Sequence, residues 1–305
     1  MPSIQSYAFR PVILASRSLM ALVARGGVHA MVRTVRAIGR ISDPMTRIPR
    51  GVRVETGHVG GVAGAWLIPD GAPESPVVLY IHGGAFVTPL GGPLRMVAAE
   101  LGRAAGLRVF AVDYRQLPHV YPAAHDDVFA AYRELAQGEV IVVGDSTGGV
   151  LALATLLRAR SEGLPQPSLC VLLSPAVDYG VSVTALGSSD AFVHPRFVVT
   201  GHAAYVHGHD PSVADLAPVG QDLRGLAPIH VFVGEHELFR AEVDRLRDAA
   251  RAQGVAIEMW LWPGMWHGWY VMADRLPEGR RALAEAGALI RLRGRSGANG
   301  APQQP

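Results

Sequence analysis

The sequence contains no lysine, so all 28 of its cationic side chains are arginines. That bias is compositional before it is functional, yet it excludes a phosphate loop of the kind that needs a lysine. A single cysteine, Cys170, excludes a disulfide framework and any metal or iron–sulfur site built from several thiolates. Charged residues are few, at 18% against 49% hydrophobic, a balance that excludes a disordered chain. Long apolar runs are missing as well. Between Pro11 and Ile41 the longest unbroken one, Leu19–Ala24, has six residues, where a spanning helix needs roughly 20. Arg17 interrupts the only plausible core of a signal peptide, so a cytoplasmic location is expected.

The 305 residues are enough for one large domain or two modest ones. Charge is unevenly spread, because residues 1–53 hold nine arginines and one aspartate while the remainder holds 19 arginines and 25 acids. The body therefore has no basic stripe that would argue for nucleic acid. In the N-terminal segment Arg25, Arg33, Arg36 and Arg40 recur near helical spacing, with Val28, Met31, Val32, Val35 and Ile38 between them. The pattern predicts amphipathic helices, whose plainer role is a lid on their own domain. Weak contact of the Arg-rich segment with an anionic membrane surface is the sharper alternative.

From residue 51 short β-rich runs alternate with helical ones. Strands are expected at Gly51–Thr56, Val62–Ile68, Val77–Ile81, Arg108–Asp113, Val140–Val143, Leu169–Leu173, Ile229–Val233 and Ile257–Trp260. Helical stretches fall near 93–105, 122–136, 149–162, 239–253 and 278–293. Such alternation predicts an α/β fold with a mostly parallel sheet covered on both faces. Residues 178–227 break the rhythm with aromatics, histidines and prolines but no strand signal, which suits a lid or cap. The expected organisation is N-terminal helices over 1–48, a catalytic domain over 49–177 and 216–293, a cap insertion over 178–215, and a frayed tail over 294–305.

The strongest chemical signal is Gly144-Asp145-Ser146-Thr147-Gly148-Gly149, a G-x-S-x-G motif between a strand and a helix. A serine on such a sharp turn needs small neighbours, and the turn lifts its hydroxyl clear of the sheet. The Thr147 N–H then faces the same space as an oxyanion donor at a helix N-terminus. His82-Gly83-Gly84-Ala85-Phe86 follows the strand Val77–Ile81, and the Gly83 and Gly84 N–H groups are expected to complete the oxyanion hole. His82 belongs to that loop and is assigned a bracing role. A serine hydroxyl needs a base near neutral pH. Among twelve histidines His267 has the best context, in Pro263-Gly264-Met265-Trp266-His267-Gly268-Trp269 after the last expected strand. The chain order Ser, acid, His puts the acid in Gly234-Glu235-His236-Glu237-Leu238, with Glu237 preferred and Glu235 the alternative. Phe86 and Trp266 are candidates for the substrate pocket. His202, His207, His209 and Asp210 cluster in sequence, but their spacing matches no zinc pattern, so no metal is expected. Cys170 reads as a buried hydrophobe, and Asp113 and Asp145 as loop hydrogen-bonders.

Over roughly residues 50–292 the chain resembles the bacterial hormone-sensitive lipase family of α/β-hydrolase esterases. The resemblance rests on the two glycine motifs above. It also rests on Asp113-Tyr114-Arg115-Gln116-Leu117-Pro118 with Tyr121-Pro122-Ala123-Ala124 and Asp126-Asp127, and on Leu173-Ser174-Pro175-Ala176-Val177-Asp178. It implies an α/β-hydrolase fold with a helical cap made from the N-terminal helices and the insertion. Ser146 is implied as nucleophile, His267 as base, and Gly83, Gly84 and Thr147 as oxyanion donors, with no cofactor. Ala85 stands where the family has a third glycine, Gln116-Leu117 replaces Leu-Ala, and His236 stands where the family's aspartate is expected. Glu237 must then supply the acid. The expected activity is hydrolysis of small carboxylic esters with short to medium acyl chains. The alternatives are another acyl bond, such as a lactone or amide, or a silent small-molecule receptor on the same scaffold. Apolar end strands make a homodimer a reasonable expectation.

Overall fold

A computed structural model describes residues 2–179 and 190–298. Two N-terminal helices, α1 (Ile4–Arg25) and α2 (Gly27–Met45), precede a hairpin of β1 (Val52–Val59) and β2 (Val62–Pro69). Then come β3 (Val77–Ile81), α3 (Gly92–Ala105), β4 (Val109–Val112), α4 (Ala123–Leu135), β5 (Val140–Asp145) and α5 (Gly148–Ser161). The chain continues through β6 (Leu169–Leu173), α6 (Pro195–Val206), β7 (Ile229–Gly234), α7 (Arg240–Ala252), β8 (Ile257–Trp262) and α8 (Pro277–Ala298). The eight strands form one sheet in the order β1-β2-β4-β3-β5-β6-β7-β8. Pairing is antiparallel from β1 through β2 to β4 and parallel from there to β8.

The two-residue period of the strands sorts their side chains into two cores. Leu79, Ile81, Val142, Cys170, Leu172 and Val231 pack on one face with Val128 of α4, Leu151 and Leu156 of α5 and Leu246 of α7. Val78, Tyr80, Ile141, Val143 and Val171 point the other way, onto Val97 and Leu101 of α3 and Leu283 and Ile290 of α8. Burial on both faces is why these strands read as unbroken apolar runs and not as alternating ones. Cys170 is a buried strand residue whose thiol is pushed up to about 12 by desolvation, so it stays protonated.

Helices α1, α2 and α6 pack against one another beyond the carboxyl ends of the parallel strands, and α2 also touches α3. Two buried side chains tie the N-terminal pair down: Ile13 enters the α3/α8 core and Met31 the α4/α5 core. α6 lies inside the 178–215 segment, for which no individual helix was expected; residues 180–189 of that segment lie outside the described residues. α8 continues to Ala298, past residue 294 where a frayed tail is expected, and residues 299–305 lie outside the described residues. Run length alone also understates α1. α1 is long and apolar enough, by length and composition, to cross a membrane, because its alanines and serines dilute the apolar residues without adding charge.

Replacing the buried Ile13 with alanine should loosen α1 by about 2–5 kcal/mol, the usual cost of truncating a buried aliphatic side chain. Limited trypsin digestion would then cut after Arg17 or Arg25 much faster than in the parent chain. An unchanged rate would mean that Ile13 does not anchor the helix.

Candidate active site

Six parallel strands end at the carboxyl edge of the sheet. β5 stops at Asp145 and α5 starts at Gly148, so Ser146 and Thr147 make the turn, Ser146 with φ of 51°, a left-handed conformation that a serine adopts only under constraint. The constraint is visible at Gly148, where any Cβ would strike the Ile81 carbonyl of the neighbouring strand. The turn can therefore lie this close to β3 only with a glycine after it. The loop after β3 is equally close on the other side: a Cβ on Gly83 would come within 2.6 Å of the Ser146 Cβ.

The loop after β8 brings His267 over the serine, with His267 Nε2 at 2.9 Å from Ser146 Oγ. Behind it, Glu237 Oε2 lies 3.4 Å from His267 Nδ1. That distance is an ion-pair contact, long for a hydrogen bond, and it is of the kind that tightens when a ligand is bound. Glu237 is almost fully buried. Its second oxygen accepts from the Ser174 hydroxyl at 2.6 Å and from the Gly234 N–H at 2.7 Å. Ser174, after β6, also accepts from the Gly268 N–H at 3.2 Å, so one hydroxyl links the acid to the histidine loop. Burial alone would lower the His267 pKa, but the Glu237 carboxylate, helped by Asp190 and Asp145, raises it above its usual value of 6.5. Glu235 is half-exposed and accepts from the Gly264 N–H at 2.8 Å, away from the imidazole.

The three expected oxyanion donors, Gly83, Gly84 and Thr147, all border the cavity above Ser146. Ala85 N–H donates to Thr147 Oγ1 at 3.0 Å, and the same oxygen meets His202 Nε2 at 3.3 Å. Burial pushes His202 down to about 3, so it is a neutral packing partner from α6. His82 stacks on Tyr114 with centroids 4.4 Å apart and bonds Gly83 O through Nδ1, which keeps it inside the loop.

Asp145 accepts from Tyr80 at 3.0 Å and from Tyr270, joining β3 to the turn that follows His267. Asp113 accepts from Gln116 and from the Leu90 N–H. Neither Phe86 nor Trp266 lines the cavity. Phe86, with φ of 59°, turns inward and stacks on Tyr205 at 3.6 Å, while Trp266 is buried in the α3/α8 core. The cavity wall is supplied instead by Met20 and Val23 of α1, Val35 and Ile38 of α2, and Phe197 and Val198 of α6. Its volume is about 410 Å³. No cluster of three or more metal-ligating side chains occurs among the described residues, and His209 packs edge-on against Tyr121 at 5.1 Å.

One residue carried no signal in the sequence. Asp190, at 2% exposure, accepts from the N–H groups of both His267 and Leu238 at 3.1 Å through one oxygen. Its other oxygen accepts from Phe192 and Val193 at 2.8 and 3.0 Å. It therefore fastens the segment leading into α6 to the backbone beside both His267 and Glu237. No side-chain motif marks it, because every one of those partners is a main-chain amide.

Ser146, Glu237 and His267 thus stand on loops after the parallel strands β5, β7 and β8, an arrangement able to serve nucleophilic acyl transfer. A profile of the α/β-hydrolase fold family matches residues 78–271. An acetyl-hydrolase of Streptomyces hygroscopicus is 35% identical over 255 residues, covering 80% of this chain and 83% of its own. An esterase of Acinetobacter venetianus is 31% identical and covers 77% of this chain and 80% of itself. A solved esterase of the bacterial hormone-sensitive lipase family superposes with a TM-score of 0.78 at 32% identity, covering 87% of this chain and 96% of that one. The chain belongs to the α/β-hydrolase fold family, in its bacterial hormone-sensitive lipase group, and is a carboxylic ester hydrolase.

Replacing Asp190 with asparagine removes a charge that helps raise the His267 pKa and weakens two anchoring hydrogen bonds. The acid limb of the pH–rate profile should move to lower pH, while kcat falls about ten- to a hundredfold with KM little changed. A profile that stays in place would show that Asp190 does not act on the histidine.

Proposed function

We propose that the chain hydrolyses carboxylic esters through Ser146, His267 and Glu237, by way of an acyl-enzyme. The observation that supports this reading best is the 2.9 Å contact between His267 Nε2 and Ser146 Oγ. As Ser146 Oγ attacks the ester carbonyl, His267 Nε2 takes its proton, and the negative charge moves to the carbonyl oxygen. The Gly83, Gly84 and Thr147 N–H groups stabilise that oxyanion, each worth about 2.7–4 kcal/mol where such donors have been removed. Glu237 steadies the imidazolium through Nδ1. His267 then gives its proton to the leaving alkoxide as the carbon–oxygen bond breaks, which leaves an acyl-serine and a free alcohol. Water repeats the cycle: His267 takes its proton, hydroxide adds to the acyl carbon, and Ser146 leaves with the proton returned.

The cavity supports acyl groups of short to medium length. Its walls near Ser146 are mainly aliphatic and aromatic, and about 410 Å³ lies at the small end of ordinary ligand pockets. Acetyl esters, as the name of the Streptomyces relative suggests, would occupy only part of it.

On p-nitrophenyl esters graded from acetyl to palmitoyl, turnover is expected to peak at short or medium chains and fall at palmitoyl. Ser146→Ala should reduce it to background. Persistent turnover in that variant would overturn the assignment of the nucleophile. Glu237→Gln should lower kcat by about 10³–10⁴-fold, as for the equivalent change in a serine protease triad, whereas Glu235→Gln should change it little. The base must be neutral to accept a proton, and His267 is raised above 6.5. Activity should therefore be full at alkaline pH and fall as pH drops through a midpoint above 6.5. A midpoint well below that value would contradict the Glu237–His267 pairing.

A further inference from the structure

α1 has two apolar faces. Ser6, Ile13 and Ala24 lie along the buried line of the helix. On the opposite line Ile4, Ala8, Pro11, Ala15, Leu19 and Leu22 recur at three- and four-residue spacing and are exposed to solvent, with Leu14 exposed beside them. A helix that packs only on its own domain has no use for the second face. Of the thirteen large hydrophobic residues exposed among the described residues, nine lie on α1 and α2. Arg25 flanks the outer face of α1, and Arg33, Arg36 and Arg40 stand exposed on α2. The one acid of this pair of helices, Asp43, is engaged by the Gly92 N–H and by Arg95.

The exposed face runs into the active-site cavity. Leu19 and Ile38 both line that cavity, yet they are 46% and 48% exposed, so they form its rim. Two occupants could cover an apolar surface of this kind. A second copy of the chain, related by a two-fold axis, would bring like-charged arginines together with no acids to meet them. A layer of anionic lipid offers hydrocarbon for the apolar line and phosphate for the arginines. We infer that the outer face of α1 docks on an anionic lipid surface, where the rim at Leu19 and Ile38 takes esters directly from the lipid phase. The second clause rests on the esterase reading; the docking itself does not.

The test is flotation of the Ser146→Ala chain with vesicles of phosphatidylcholine, alone or mixed with phosphatidylglycerol, at low and high salt. Because that variant is inactive under the proposed mechanism, its binding is read independently of turnover. Flotation is expected only with the mixed vesicles and should weaken at high salt. Ile4→Ser/Leu14→Ser/Leu22→Ser should lower the bound fraction about tenfold or more. In the otherwise parental chain the same triple substitution should leave hydrolysis of soluble p-nitrophenyl acetate unchanged, which shows that the body is folded. It should slow hydrolysis of a vesicle-borne ester in proportion to the lost binding. No flotation with the mixed vesicles, or equal flotation of parent and triple variant, would overturn the docking. So would a vesicle-free dimer that the triple variant dissociates, or bound protein that resists extraction at alkaline pH as a spanning helix does. Loss of esterase activity with docking intact would count against the catalytic reading alone.

Discussion

A carboxylate held out of water organises the whole carboxyl edge of the sheet. Glu237 is 3% exposed, and an ion buried that deeply is penalised by several kcal/mol unless partners replace its hydration. Oε1 finds two such partners, the Ser174 hydroxyl and the Gly234 N–H, and so Oε2 is left for His267. Each partner constrains a different loop. Ser174 adopts a φ of 44° to reach the carboxylate, and the Gly268 N–H locks its hydroxyl from the other side. The ends of β6, β7 and β8 are thereby fixed to one another through a single side chain. The imidazole that results sits over a serine whose own backbone is strained by its approach to β3.

Such a site is stiff within the sheet and open toward the helices. Its base, acid and nucleophile stand on strand ends, while its walls come from α1, α2 and α6, of which α1 and α2 meet the body through few deeply buried residues. α6 is held more firmly, by buried Phe197 and Tyr205 and by Asp190, which joins its lead-in to the backbone of His267 and Leu238. A displacement of the helices would consequently be felt at the base as well as in the pocket. Chemistry and pocket shape are coupled here through main-chain hydrogen bonds.

Much of this was legible in the residues. The apolar runs gave all eight strands because burial on both faces removes alternation, and the G-x-S-x-G turn announced itself through glycines that the close approach to β3 requires. Glu237 was separable from Glu235 only as a preference, since two acids two residues apart differ in burial and not in composition. Asp190 was invisible for a related reason: its partners are amides that every residue has. Phe86 and Trp266 were expected in the pocket because they flank catalytic motifs, but a positive φ turns one inward and the α3/α8 core claims the other. The outer face of α1 escaped a search for unbroken apolar runs because its periodicity, not its run length, carries the signal.

The central claim is that one serine among many is made nucleophilic by its place against His267. Labelling with a fluorophosphonate, followed by peptide mapping, reads that property without any assumption about the ester. The account predicts a single adduct on Ser146, acid-limited in the same sense as the histidine titration and lost in His267→Ala. An unlabelled folded protein, an adduct on another serine, or full labelling of the histidine variant would contradict it.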